Sequence, residues 1–369
     1  MKNTNRIDLI FLVLTLVLAL GGFLLSSSAS LSTLGEKGGW DLPFDESQFA
    51  SLLFGIGALF AASLIPFKFW RRYAIPLFLI TLGLTIAVFL PVIGFSYNGA
   101  RRWLSFGSHT LQPSEMLKLG FVIYFASWLA VSRERIKTFR LGFLPYLFMV
   151  GVLGLVLLKQ PDTGTFMIIF VTSIAMFIAA GGRWLHLFYL FLATLIGLGA
   201  LCFFRPYVRE RVTTFINPSH DVRGASYQIN QSLIAIGSGG IIGRGYGQSI
   251  QKFNYLPESI GDSVFAVVGE ELGFIGSTLL IILFLLFGLW GLKVAARAPD
   301  AFGRLLVVGI VMMVTAGAFI NISAMLGVIP LTGVPLTFVS HGGTALFFSL
   351  LSIGIALNVS RYQSHHQSS

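Results

Sequence analysis

Charge and cysteine are what this chain has least of. Only 11% of its 369 residues are charged, where a soluble domain carries about a quarter. A chain of this length with so few charges cannot clothe a globule in polar surface, so lipid must be its solvent. Cys202 is the only cysteine, which excludes a disulfide within the chain and any cysteine-based metal site. There is no G-x-x-x-x-G-K-[ST] phosphate loop and no H-E-x-x-H helix. The six histidines do not cluster at ligand spacing, apart from His365 and His366 in a polar tail. No internal repeat is present, so nothing points to a repeat-built transporter. Nor is there a soluble second domain, and residues 1–369 are expected to form a single integral-membrane unit.

What fills the chain instead is apolar. Hydrophobic residues make up 55% and phenylalanine alone occurs 35 times; the mean hydropathy is +0.82. A spanning helix needs about 20 mostly apolar residues. Ten stretches qualify, at roughly 8–27, 49–66, 74–94, 114–132, 142–159, 165–182, 184–204, 268–292, 305–327 and 341–360. The expected fold is therefore all-α and polytopic, with about ten transmembrane helices and a long loop, 205–267, between the seventh and eighth. The first stretch runs through Ser26 to Ser28 without a small-residue cleavage site and reads as a retained helix.

The gaps between stretches set the orientation. One set carries Lys2 and Arg6; Lys68, Arg71 and Arg72; Arg133, Arg135, Lys137 and Arg140; Arg183; Lys293, Arg297 and Arg304; and Arg361, against only Asp8, Glu134 and Asp300. This is the positive-inside signature. It places both termini in the cytoplasm. The net charge of +10 follows from that topology and from anionic membrane lipid, so no nucleic-acid partner is implied. The long outer loop nevertheless holds Arg205, Arg209, Arg211, Arg223, Arg244 and Lys252. Two readings are open for them: contact with lipid phosphates, or a site for an anionic substrate.

Every unusual segment falls on the outer side. Asn98-Gly-Ala-Arg-Arg-Trp103 sets Arg101 and Arg102 beside aromatic residues. Gln112-Pro-Ser-Glu-Met-Leu-Lys118 opens the fourth helix with Pro113 in its first turn and with Glu115 and Lys118 at i, i+3, where they can pair. Charges inside a span are costly and face the protein interior, so that pair is expected to point into the bundle. Lys159-Gln-Pro-Asp-Thr-Gly164 joins helices five and six; Asp162 has the alternative of terminating a turn. Leu233 to Ile236 is too short to span, and with Gly237-Ser-Gly-Gly-Ile-Ile-Gly-Arg-Gly-Tyr-Gly247 it reads as a re-entrant segment ending in a glycine turn. Asp262 lies where the loop meets the eighth helix. It can accept a proton from a sugar hydroxyl or cap the helix. On one continuous helix Glu270 and Glu271 stand about 80° and 180° round from it, so the three cannot line one face and some are structural. Pro330-Leu-Thr-Gly-Val-Pro-Leu-Thr-Phe-Val-Ser-His-Gly-Gly343 is a broken approach to the last helix, of a kind that survives at membrane depth only where protein or water satisfies the backbone.

Together these segments resemble the SEDS family (shape, elongation, division and sporulation), which includes RodA and FtsW, over nearly the whole chain. The residues that carry the resemblance are Gly99-Ala-Arg-Arg-Trp103, Pro113-Ser-Glu115 with Lys118, Lys159-Gln-Pro-Asp162, Tyr227-Gln228 with Gln231-Ser-Leu-Ile-Ala-Ile-Gly-Ser-Gly-Gly240, Leu256-Pro-Glu258 with Asp262, Gly269-Glu-Glu-Leu-Gly273 and Pro330-Leu-Thr-Gly333. The stretch Gly247 to Glu258 looks more like FtsW and its sporulation relative than RodA. The chain departs from the usual pattern at Gly261, at Ser263-Val264-Phe265 and at Ser340-His-Gly-Gly-Thr344, while the acid stays in place.

The resemblance implies a peptidoglycan glycosyltransferase that polymerises the lipid-linked disaccharide, lipid II, on the outer face of the membrane during division or elongation. A 4-hydroxyl attacks the anomeric carbon of the donor, and undecaprenyl pyrophosphate leaves. Asp262 is the implied catalytic acid–base group or transition-state organiser. A pyrophosphate leaving group needs positive charge, from Arg101, Arg102, Arg211, Arg223, Arg244 and Lys252 or from a divalent cation, Mg or Mn. No other cofactor is implied. Glu115, Lys118, Lys159, Asp162, Gln231, Ser238 and Glu258 are the further substrate-facing candidates. The implied partners are a class B penicillin-binding protein, which is a transpeptidase, and other membrane proteins of the divisome or elongasome. A lipid II flippase and a non-catalytic divisome scaffold are the rival readings.

Overall fold

A computed structural model describes residues 7–37, 46–91, 93–97, 100–106, 109–132, 135–217, 224 and 226–362. Arg223, among the cations named above, lies outside the described residues.

Helices α1 (Leu9–Lys37), α2 (Glu46–Leu64), the short α3 (Phe67–Arg72) and α4 (Ala74–Ala87) lead to three short strands, β1 (Gly94–Tyr97), β2 (Ala100–Phe106) and β3 (His109–Leu111). Next come α5 (Pro113–Val131), a π-helical turn Phe139–Phe143, α6 (Leu144–Lys159), α7 (Thr163–Ala179) and α8 (Trp184–Phe204). After these follow α9 (Pro206–Ile216), α10 (Tyr227–Ser238), α11 (Val264–Ala296), α12 (Ala301–Met325) and α13 (Gly343–Ser360).

Apolar helices stand at all ten expected positions, but they are not equal. Eight are long and apolar enough to cross a membrane by length and composition, while Ala74–Ala87 and Thr163–Ala179 are shorter. At about 1.5 Å per residue, those two fall short of a hydrocarbon core about 30 Å thick, so ten spans are not reached on length alone. Burial sorts the rest. Within its spanning window α12 is 89% buried against 6% for α8, which makes α12 the central post and α8 a peripheral strut. Phe121, Phe125, Phe284, Phe287 and Leu306 belong to the apolar core around α12. Close packing of α2 on α13 needs Gly354, where a Cβ would run into the carbonyl of Leu59; small residues at such crossings let backbones approach.

One end of the bundle is closed by side-chain bonds to backbone. Asn358 accepts from Phe67 N–H at 2.8 Å and donates to Ser63 O at 2.7 Å. Trp290 Nε1 donates to Asp8 at 2.9 Å, and Asp8 N–H to Ser360 Oγ at 3.0 Å. The other end, here the loop end, carries the irregular segments, and it differs from expectation in two ways. First, residues 94–111 hold a three-stranded antiparallel sheet in the order β1-β2-β3. Its register sets Leu104 opposite both Gly94 and Leu111, with an irregularity at Phe95/Ser96. Strands this short, with little alternation, leave no clear pattern in sequence. Second, the helix expected to start near 268 begins at Val264 and kinks at Gly273, which has φ 66°. The carbonyls and amides loosened there are taken up by the glycine-rich segment: Arg244 and Gly245 N–H donate to Glu270 and Glu271 O at 3.0 Å each, and Phe274 N–H donates to Gly240 O at 2.9 Å. This is a kink with an identifiable cause, and its backbone is satisfied by protein as membrane depth requires.

Candidate functional site

The segment 233–247, expected to be re-entrant, holds the second half of α10 and then a turn with positive φ at Gly240, Gly243, Gly245 and Gly247. What fixes residues 239–263 to the bundle is a set of buried charges. Glu270 accepts from Ser249 Oγ at 2.6 Å and from Ile250 and Gln251 N–H at 3.1 Å each, and its Oε1 stands 3.4 Å from Arg244 Nε. Glu271 accepts from Ser28 Oγ at 2.6 Å and pairs with Lys252 Nζ at 2.8 Å. The Lys252 ammonium also donates to Ser28 O at 2.9 Å and Gly247 O at 3.0 Å. Its side chain has 0% exposure. That corrects the expectation for Lys252: its donors are spent inside the protein, holding the loop to α1 and α11, and none is left for a substrate. Arg244 brings only its Nε toward Glu270, and its side chain stays 36% exposed. Both glutamates hold the loop; the angular argument from one continuous helix does not apply, because α11 begins at Val264 and Asp262 stands before it.

Asp262 itself does not cap α11. Ser263 occupies the cap position, and no side chain makes a capping bond. Ser263 Oγ is instead a partner of Gln228 Nε2 at 3.1 Å, which ties α10 to the acid. The backbone carbonyl of Glu258 accepts from Gly261 and Ser263 N–H at 3.0 Å each, which leaves its side-chain carboxylate free of those bonds. A Cβ at Gly261 would come 3.1 Å from Glu258 Oε2, so the glycine found here leaves that carboxylate room beside the acid.

Three elements bring charge to Asp262. Arg211, on α9, donates through Nη1 to Leu331 O at 2.6 Å, and its guanidinium lies 4.4 Å from the Tyr207 ring centroid. Arg102, on β2, donates to Pro161 O, so the sheet docks on the turn that precedes Asp162. Asp162 begins α7, where it accepts from Thr165 N–H at 3.3 Å; its second oxygen is buried without a hydrogen-bond partner. The two sides meet at Gly333, which has φ +69°. An added Cβ there would lie 3.4 Å from Asp262 Oδ2 and 3.5 Å from Arg211 Nη2. Gly333 thus floors a gap between a carboxylate and a guanidinium, and any side chain would be strained by the backbone and would fill the gap.

The electrostatics follow from this arrangement. Burial pushes the Asp262 carboxyl from 3.8 up to about 6; Glu258 and Asp162 push the same way, and Arg102 and Arg211 oppose. Burial also lowers the pKa of Arg211, offset by Tyr207, Asp262 and Asp162. A carboxylate titrating near 6 is ionised at neutral pH yet basic enough to take a proton, which is the match a general base needs.

Two cavities adjoin the cluster. One, of about 310 Å³, lies between α9, α10 and residues 326–331, lined by Tyr207, Glu210, Arg211, Phe215 and Gln228 among others. The other, of about 30 Å³, is lined by Glu115, Lys118, Asp162, Gly333 and Ser340 among others; it has room for a water or two. Glu115 and Lys118 form the expected pair at 2.8 Å, with 4% and 12% exposure, under the floor of the site.

The remaining candidates fall outside the cluster. Arg101 is exposed on β2. The Lys159 ammonium lies 5.2 Å from the Phe89 ring centroid. Ser238 spends its hydroxyl on Ala235 O at 2.9 Å, and Gln231 is half-buried on α10. Among the described residues no three His, Cys, Asp or Glu side chains converge as a metal cage. The positively charged groups that bear on the acid are Arg102 and Arg211. Sequence reading named Gln228 and Ser340 only within motifs, without a role, and missed Asn321. Asn321 carried a usable signal, a carboxamide inside an apolar span.

Comparison with known proteins places this geometry among relatives. Residues 7–365 match the family described as cell cycle protein, FtsW/RodA/SpoVE. The chain is 40% identical over 372 residues to stage V sporulation protein E of Bacillus subtilis, covering 99% of each. It is 38% identical over 360 residues to a probable peptidoglycan glycosyltransferase FtsW of Geobacter metallireducens, covering 98% of this chain and 96% of that one. Among solved structures it resembles a chain of a peptidoglycan synthase complex that coordinates polymerization and crosslinking, with a TM-score of 0.79 at 26% identity, covering 97% of this chain and 99% of that one.

Proposed function

The chain belongs to the FtsW/RodA/SpoVE family of cell cycle proteins, and from that premise we propose that it is a peptidoglycan glycosyltransferase that polymerises lipid II. The observation that carries the reading is that the Asp262 carboxylate and the Arg211 guanidinium both face the open space at Gly333. Asp262 takes the proton of the acceptor 4-hydroxyl as that oxygen bonds to the donor's anomeric carbon. The bond from that carbon to the pyrophosphate oxygen breaks, and its electron pair leaves with undecaprenyl pyrophosphate. Arg211 and Arg102 stabilise the charge that gathers on the leaving group. Fixed guanidinium groups in a partly buried site do this with little reorganisation. No second carboxylic acid is required, because a pyrophosphate leaves without strong protonation, unlike a glycosidic alcohol.

Sidedness supports the same reading. The chain is a multi-pass membrane protein. The bonded end carries Lys68, Arg71, Arg72, Lys293, Arg297, Arg304 and Arg361, so the positive-inside rule sets it in the cytoplasm and the loop end outside the inner membrane. Lipid II presented in the outer leaflet meets the site there. A class B penicillin-binding protein, as transpeptidase, is the partner that would crosslink the product, alongside other divisome or elongasome proteins and the surrounding lipid.

The test is glycan synthesis from labelled lipid II against pH. The acid limb of the rate should rise through about pH 6, following ionisation of Asp262, and Asp262→Asn should lose about 10²–10⁴-fold. Near-normal polymerisation by Asp262→Asn would overturn the assignment.

A further inference from the structure

A side chain outside every motif braces the acid. Asn321, near the end of α12, is 1% exposed. Its Nδ2 donates to Asp262 O at 2.7 Å and to Val334 O at 2.7 Å. The two carbonyls belong to different irregular segments. One segment carries the acid. The other carries Gly333, whose missing side chain leaves the space beside Asp262 and Arg211 open, and Leu331, whose carbonyl holds Arg211.

The neighbouring carbonyls are held from the same side. Ser340 Oγ donates to Gly261 O at 2.6 Å, and His341 N–H donates to Ile260 O at 2.9 Å. Three consecutive carbonyls, 260 to 262, are therefore fixed by α12 and by the turn before α13. Buried carbonyls need donors wherever they occur, and that alone accounts for Ser340 and His341. Asn321 does more, because one amide group spans the acid and the floor of the site. Val334 is the residue after Gly333, so the brace fixes the Asp262 backbone relative to the open space that carboxylate and guanidinium face.

We propose that Asn321 is a positioning residue for glycosyl transfer, holding the Asp262 backbone against Gly333–Val334 and so setting how the carboxylate stands to Arg211 and to the hydroxyl it deprotonates. This rests on the reading of Asp262 as the base. The groups bearing on that carboxylate are Glu258 in its own loop, Arg211 on α9, Arg102 on β2 and Asp162 at the start of α7. Without the brace the acid drifts from the two arginines, which removes what holds its pKa down.

The experiment is steady-state polymerisation of labelled lipid II by the full chain with its transpeptidase. It compares wild type, Asn321→Ala, the isosteric Asn321→Asp, Ser340→Ala and Asp262→Asn, each normalised to folded protein. Asn321→Ala should lower kcat by about 10- to 100-fold, the scale of a small misplacement of a reacting group. KM should stay within about 3-fold, because binding groups are untouched, and the acid limb should move to higher pH. Asn321→Asp keeps the volume and should show the same shift. Ser340→Ala frees the Gly261 carbonyl but leaves the Asn321 brace between the two segments, and should shift the limb less than Asn321→Ala does. If Asn321→Ala does not fold, Asn321→Asp carries the test. A wild-type kcat and limb per folded molecule in the Asn321 variants would overturn the proposal, leaving Asn321 only to satisfy backbone. If Asp262→Asn also polymerises normally, the base reading falls and takes this inference with it. If only Asp262→Asn is dead, the inference falls alone.

Discussion

Replacing Asp262 by Asn should stabilise the protein while it abolishes activity, and the gain should depend on pH. The carboxyl stands at about 6 in the folded chain against 3.8 for the solvated group. Folding therefore favours the protonated acid. Its contribution is fully present below about pH 4 and is lost as pH rises through 6. At pH 8 the ionised carboxylate costs about 3 kcal/mol relative to the unfolded chain, from the shift at about 1.4 kcal/mol per pKa step. At pH 4 the same linkage leaves about 0.5 kcal/mol. Asn is uncharged and of the same shape, so Asp262→Asn recovers that difference. Thermal unfolding in detergent at pH 4 and pH 8 checks this: the variant should match wild type at pH 4 and melt higher at pH 8. Such a trade of stability for function is common where a site needs a strained charge. A variant that melts lower than wild type at pH 8 would refute the reasoning. It would mean that Arg102 and Arg211 more than offset the burial of the carboxylate.

Two further outcomes follow from the buried pairs. Glu115→Ala and Lys118→Ala should each lower the melting temperature more than the double variant does, because a single change strands a charge; strict additivity in the cycle would show that the 2.8 Å pair carries no coupling. Glu271→Gln leaves Lys252 buried against carbonyls alone and should cost about 3–5 kcal/mol, read as a loss of folded protein by limited proteolysis of residues 239–263; an unchanged cleavage pattern would show that the loop is held by other contacts.

The helices were legible because lipid imposes a single requirement, an apolar run long enough to span, and each expected run holds a helix. What lipid does not dictate was not legible. The fate of Lys252 depends on Glu271, 19 residues away, and on Ser28, 224 residues away, and no local pattern links the three. The sheet bearing Arg102 is too short to announce itself, so the difference between an inward Arg102 and an exposed Arg101 emerged only with the strand. Asp262 was placed at the loop–helix junction by position alone; its residue type there favoured a cap, the family resemblance favoured a base, and the structure gives the cap to Ser263. The approach of Asp262 and Arg211 to Gly333 joins residues far apart in the chain through one glycine with positive φ. Sequence could mark that glycine as part of a broken segment, not as the floor of a site.

The most direct measurement presents labelled lipid II only in the leaflet facing the loop end of a proteoliposome, without any gradient, and scores glycan chains and leaflet exchange on the same preparation with the transpeptidase present. Polymer should form with wild type and not with Asp262→Asn. If wild type makes no glycan, while lipid II crosses the bilayer equally fast with wild type and with Asp262→Asn, the chain is a transporter and the account is contradicted.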